Sequence, residues 1–124
     1  MLLTRVIVKR FLLSLSLGLI FTIGAWGHVF PVRSDPKVGS EINEPPTLVR
    51  IWFDGPLEAV FSEMKLFDAE GDRIDQGKGK VVLNDPTLLS LPLQQLAAGL
   101  YQVRWTVVAK DGHRSEGDFS FRIR

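Results

Sequence analysis

Apolar and polar positions alternate with period two over most of the chain after residue 45. In Thr47–Phe53, TLVRIWF, the residues Val49, Ile51 and Phe53 alternate with Leu48, Arg50 and Trp52. In GLYQVRWTVVAK the set Tyr101, Val103, Trp105 and Val107 falls on one side, and Gln102, Arg104 and Thr106 on the other. In GDFSFRIR, Phe119, Phe121 and Ile123 point one way while Ser120, Arg122 and Arg124 point the other. Such alternation is the mark of strands with one buried face. Shorter strands are expected at Glu63–Asp68, Lys80–Leu83 and Thr87–Leu93, with Asn84-Asp85-Pro86 as the turn between the last two. Leu93–Gly99, LQQLAAG, is expected to form at most one helical turn, and Ser34–Pro46 reads as a loop. The fold class expected is all-β: a single sandwich or barrel.

Most aromatic residues lie at strand spacing, so Trp105, Phe119 and Phe121 are read as core packing before any ligand platform. Trp52 shares the Arg50 side of its strand and is expected to be partly exposed.

The first 27 residues follow a different rule. Arg5, Lys9 and Arg10 are followed by Phe11–Trp26, a run without charge. A basic segment before an apolar one is the pattern of a secretory signal peptide. A spanning helix needs about 20 apolar residues, and this run is shorter and rich in Ser and Gly. Ala25 and Gly27 supply the small residues of a cleavage site. The expected organisation is a cleaved signal peptide over 1–27 and one exported domain over 28–124; an uncleaved anchor is the alternative. Cleavage after Gly27 makes His28 the first residue of a 97-residue domain.

That division changes the meaning of the charge. The whole chain carries +1, but loss of Arg5, Lys9 and Arg10 leaves −2. No basic stripe with interleaved aromatics remains, so nucleic acid is not an expected partner. Cysteine is absent, which excludes disulfides, thiol catalysis and cysteine-bound metals. The imidazole supply is two residues, His28 and His113.

A histidine at a chain terminus offers two nitrogens to one metal, its α-amine and its ring Nδ1, closing a six-membered chelate. The amine has an ordinary pKa of about 7.7–8.0, so a metal displaces its proton cheaply near neutral pH. Asp111 and His113 stand two apart around Gly112, and in an extended segment such positions face the same side. With His28 they would make a set of three nitrogens and one oxygen. Nitrogen-rich tetragonal sites suit Cu(II), with Zn(II) a chemical alternative. A Cu(I) site would call for methionines, and after residue 27 there is one, Met64. Asp-Gly is also an ordinary hairpin turn, so an idle, solvent-exposed His113 is the plainer alternative.

The chain resembles the CopC family of periplasmic copper-binding proteins. The resemblance rests on His28 as first residue, on SDPKVGS (Ser34–Ser40), on VRIWFDGPLE, and above all on LAAGLYQVRWTVVAKDGHRSEGDFSFRI. It implies a Greek-key β-sandwich, Ig-like or cupredoxin-like, that binds one Cu(II) per chain through His28, Asp111 and His113. It implies a monomeric, non-enzymatic carrier or buffer in copper homeostasis, resistance or uptake, working beside an inner-membrane copper transport protein of the CopD type. The methionine-rich Cu(I) site of some relatives is not matched. Two departures stand out. Gly55 sits where relatives often have Glu, a carboxylate that would orient the terminal histidine, leaving Asp54 or Glu58 to replace it. Arg114 sits where Pro is frequent, within reach of Asp111 or Glu116. The competing functions are a histidine-brace copper oxidase or monooxygenase and a metal-free β-sandwich interaction module.

Overall fold

The structure is a computed structural model that describes residues 28–124. The signal-peptide expectation concerns residues 1–27 and lies outside the described residues.

The strands are β1 (Pro31–Asp35), β2 (Glu41–Ile42), β3 (Leu48–Phe53), β4 (Glu63–Phe67), β5 (Lys80–Val82), β6 (Asp85–Pro92), β7 (Gly99–Val108) and β8 (Arg114–Ile123). They form two four-stranded sheets, ordered β1-β3-β6-β5 and β2-β8-β7-β4. The chain changes sheet between β1 and β2, again at β3, β4 and β5, and once more between β6 and β7. These crossings place strands distant in sequence side by side, as in a Greek-key sandwich.

The core fills the space between the two inner faces. Val49, Ile51 and Phe53 of β3 and Leu89 and Leu91 of β6 meet Met64 and Leu66 of β4, Val103 and Val107 of β7, and Phe119, Phe121 and Ile123 of β8. The period-two sets are thus the buried ones. Trp105 is half-buried and packs edge-on against Phe53, with ring centroids 5.2 Å apart. Its indole occupies the space opposite Gly117: a Cβ there would lie 2.5 Å from the ring. Trp52 is half-buried on the outer face, with the Arg33 guanidinium 3.8 Å above its ring.

Three local expectations need correction. LQQLAAG forms no helical turn. Leu93 instead donates its amide to Thr47 O at 2.9 Å, the Tyr101 hydroxyl holds Ala97 O at 2.6 Å, and Leu93 and Leu96 turn toward the core. The one 3-10 turn among the described residues is Ala59–Phe61. The β5–β6 turn is Leu83-Asn84, with Asp85 and Pro86 already in β6. Pro86 is tolerated there because pairing with β3 begins only at Leu88, so its missing N–H is not needed. Its carbonyl accepts the Leu57 amide at 2.8 Å. The segment read as a loop from Ser34 to Pro46 contains the end of β1 and all of β2.

Candidate metal centre

The β7–β8 hairpin carries Asp111 and His113 at its tip. The turn is closed by Gly112 N–H donating to Ala109 O and Ala109 N–H donating to His113 O, both at 2.9 Å. Gly112 has φ +89°, a left-handed conformation that glycine adopts without the Cβ penalty. The turn lets Asp111 fold over its neighbour: Oδ1 accepts the backbone N–H of His113 at 3.0 Å, and Oδ2 lies 2.9 Å from His113 Nδ1. One carboxylate therefore holds the backbone of His113 by a hydrogen bond and lies beside its ring.

His28 reaches this tip from the other sheet. Two residues separate it from β1, and β1 pairs with β3. Asp54, just past β3, clamps the entry. Its Oδ1 accepts the Phe30 amide at 2.8 Å, and its own amide donates to Phe30 O at 2.9 Å. Val29 is buried against the core at 5% exposure, so both residues that follow His28 are anchored. The imidazoles of His28 and His113 stand with centroids 5.3 Å apart, tilted by 45°.

This spacing is compatible with a shared ion. With metal–nitrogen distances of about 2.0–2.1 Å, two imidazoles on one ion have centroids roughly 4.5 Å apart at right angles and about 6.4 Å apart in line. The observed 5.3 Å falls between these limits. Among the described residues, no three His, Asp or Glu side chains form a ready-made metal cage. The full chain also has a peptide amide, not an amine, at His28. The structure therefore brings two imidazoles and a carboxylate together in pairs, and a free amine at His28 would require cleavage before it.

The surroundings answer the two departures noted in the sequence. Asp54, and not Glu58, supports the His28 strand, through the backbone of Phe30. Glu58 is 3.4 Å from Lys110 Nζ, an ion pair that ties the loop after β3 to the hairpin. Gly55 packs tightly, since a Cβ there would meet Val29 Cγ1 at 2.9 Å. Arg114 pairs with Glu116 at 3.1 Å. A cleft of ≈ 350 Å³, lined by His28, Asp54, Gly55, Lys110 and Asp111, opens beside His28. Phe30 lies 6.2 Å from His28, ring to ring, and is 59% exposed, so one flank of the site is apolar. Sequence reasoning missed the structural part played by Val29 and Phe30, because two consecutive apolar residues carry no alternation that would tell buried Val29 from exposed Phe30.

Comparison with known proteins points the same way. A family model described as CopC domain matches residues 31–124. The copper transport protein CutJ of Bacillus subtilis is 30% identical over 100 residues, which cover 80% of this chain but 18% of that longer protein. Copper resistance protein C of Pseudomonas syringae pv. tomato is 28% identical over 113 residues, 86% of this chain and 89% of that one. The crystal structure of CopC from Methylosinus trichosporium OB3b has a TM-score of 0.72 at 31% identity, covering 77% of this chain and 93% of that one.

Proposed function

The chain belongs to the CopC domain family, and from that premise we propose that it is a periplasmic carrier or buffer of Cu(II), holding one ion per chain through His28, Asp111 and His113. The observation that carries this reading is the 5.3 Å approach of two imidazoles that come from opposite ends of the domain. Relatives named for copper resistance and copper transport support copper as the cargo.

The ligand chemistry favours the oxidised ion. Imidazole, amine and carboxylate donors suit Cu(II), which heads the divalent affinity order. Met64, the one methionine after residue 27, is buried in the core at 1% exposure, so no thioether stands at the site. Cleavage before His28 turns its nitrogen into an amine that completes a chelate with the ring Nδ1. Asp111 serves from the hairpin tip, and its hydrogen bond to the His113 backbone fixes the turn that presents both side chains. Asp54 keeps the entering strand in place, so most of the ordering of the site precedes the ion.

A carrier must also release its cargo. The cleft beside His28 leaves one side of the site reachable, as transfer to an acceptor requires. CutJ carries a domain of this type within a much longer copper transport protein. We infer that the acceptor is an inner-membrane component of the CopD type, served by a monomeric, non-enzymatic carrier.

The test is competition of the exported protein against chelators of each oxidation state. The reading predicts one tightly held Cu(II) and weak Cu(I) binding; Cu(I) binding of comparable strength would overturn the choice of ion.

A further inference from the structure

The second sheet has an edge that is only partly covered. β2 pairs with β8 at Arg122 and Ile123 alone. Gly39 N–H donates to Ser120 O at 2.7 Å, and Arg122 N–H donates to Ser40 O at 2.9 Å. Residues 120 and 122 therefore direct their backbone groups away from β7. Alternation along a strand carries that direction to Asp118 and Glu116. Among the described residues neither has a backbone partner on that side.

Beside this edge lies a lateral opening of the sandwich, a cleft of ≈ 260 Å³ between β8 and β1, the edge strand of the first sheet. Its apolar walls are Val32, Val38, Ile51, Trp105 and Phe119. Val32 and Val38 are 65% and 70% exposed, so both present apolar surface to solvent at the cleft. Gly117 sits in the middle of the edge and adds no side chain to the cleft.

The outward-facing side chains at this edge are acidic. Glu116 is paired with Arg114, whereas Asp118 has no ion-pair partner among the described residues. Its cross-strand neighbour Arg104 is turned to Gln102 Oε1, at 3.0 and 3.2 Å, and over the Phe67 ring at 4.2 Å. Arg33 also lines the cleft, but its guanidinium is stacked on Trp52.

We propose that the β8 edge is a docking site for an extended segment of a partner protein in which basic and apolar residues alternate. The segment adds a strand beside Glu116–Asp118. Its basic residues stand opposite those two carboxylates on the outer face. The apolar residue between them, opposite Gly117, enters the cleft against Trp105, Phe119 and Val32. Strand addition draws affinity from main-chain hydrogen bonds and selectivity from alternate side chains, and opposite charges across a pair stabilise it. A second copy of this chain is disfavoured, because pairing two β8 edges about Gly117 sets Glu116 of one against Asp118 of the other. The site is separate from the histidines and does not depend on copper.

The test uses two labelled pentapeptides of one composition, acetyl-Lys-Val-Lys-Val-Lys-amide and acetyl-Lys-Lys-Lys-Val-Val-amide, titrated against the protein by fluorescence anisotropy. The alternating peptide is expected to bind about tenfold or more tightly than its isomer. It should also slow hydrogen exchange at the Glu116 and Asp118 amides. Asp118→Lys and Val32→Asp, both at exposed positions, should each remove about tenfold or more of that affinity, while His113→Ala leaves it unchanged. Equal binding of the two peptides, indifference to Asp118→Lys, absence of binding at millimolar peptide, or protection of those amides by self-association would each overturn the proposal.

Discussion

Asp54 and Phe30 are joined twice, side chain to backbone at 2.8 Å and backbone to backbone at 2.9 Å, and this pair sets where His28 stands. The link is indirect: Asp54 holds the residue two places after His28, across the start of the β1–β3 ladder. Asp54→Ala removes one acceptor and leaves the Phe30 amide to water. The expected cost in stability is about 0.5–1.5 kcal/mol, that of an ordinary hydrogen bond. Cu(II) binding should weaken several-fold because the His28 end is less well ordered. Denaturant melts together with a Cu(II) titration check both. Unchanged copper affinity would show that Asp54 has no part in positioning His28.

Fold and metal centre should separate on mutation. His113 is partly exposed at a hairpin tip, its side chain 42% accessible, whereas Trp105 packs on Phe53 and fills the space opposite Gly117. His113→Ala should abolish tight Cu(II) binding and leave the metal-free melt nearly unmoved. Trp105→Ala should lower metal-free stability by about 3–5 kcal/mol, as large-to-small core changes do. Urea melts of both metal-free variants decide it. Equal destabilisation by the two would mean that His113 is a structural residue.

Asp75 makes acid sensitivity local to one loop. Burial works to raise its pKa. The bidentate hydrogen bonds from Arg73 and the amides of Leu66 and Gly77 outweigh burial and bring it from 3.8 down to about 2. The folded form is then the weaker proton binder, so the stabilisation is complete above the unfolded value of about 3.9 and is lost as pH falls toward 2. Its size is about 2–3 kcal/mol. Asp75→Asn should flatten the pH dependence of the melting temperature between pH 4 and 2, roughly the window set by those two values. A variant with the same acid slope as the parent would remove Asp75 from the account.

The strands were legible because their inner faces are apolar without interruption: Val49-Ile51-Phe53 and Phe119-Phe121-Ile123 are period-two sets that tertiary packing had no reason to override. β1 and β2 were not legible. β1 is an edge strand with little burial, and β2 is two residues long and parallel to β8, so neither carries an alternation of its own. The helical turn expected at LQQLAAG failed because Leu93 and Leu96 were drawn to the core separately and Tyr101 captured Ala97 O. For the candidate site, the closeness of Asp111 and His113 was expected from their spacing in an extended segment; the structure reaches it instead through a turn at Gly112. Their approach to His28 was not legible, because it depends on which sheet each strand joins. The resemblance to a known family supplied that pairing in advance.

The central claim concerns the nitrogen of His28, and one comparison addresses it directly. The exported form, with His28 shown by mass spectrometry to be the first residue, is compared with a form bearing one added glycine before it. Both should fold alike, since His28 is exposed and β1 begins at Pro31. In the extended form the amine becomes an amide and the chelate with Nδ1 is lost, while all side chains remain. Competitive Cu(II) titration at one pH should find the extended form weaker by about tenfold or more, a loss of about 1.4 kcal/mol or greater. Equal affinities would contradict the N-terminal chelate and leave copper held by side chains alone.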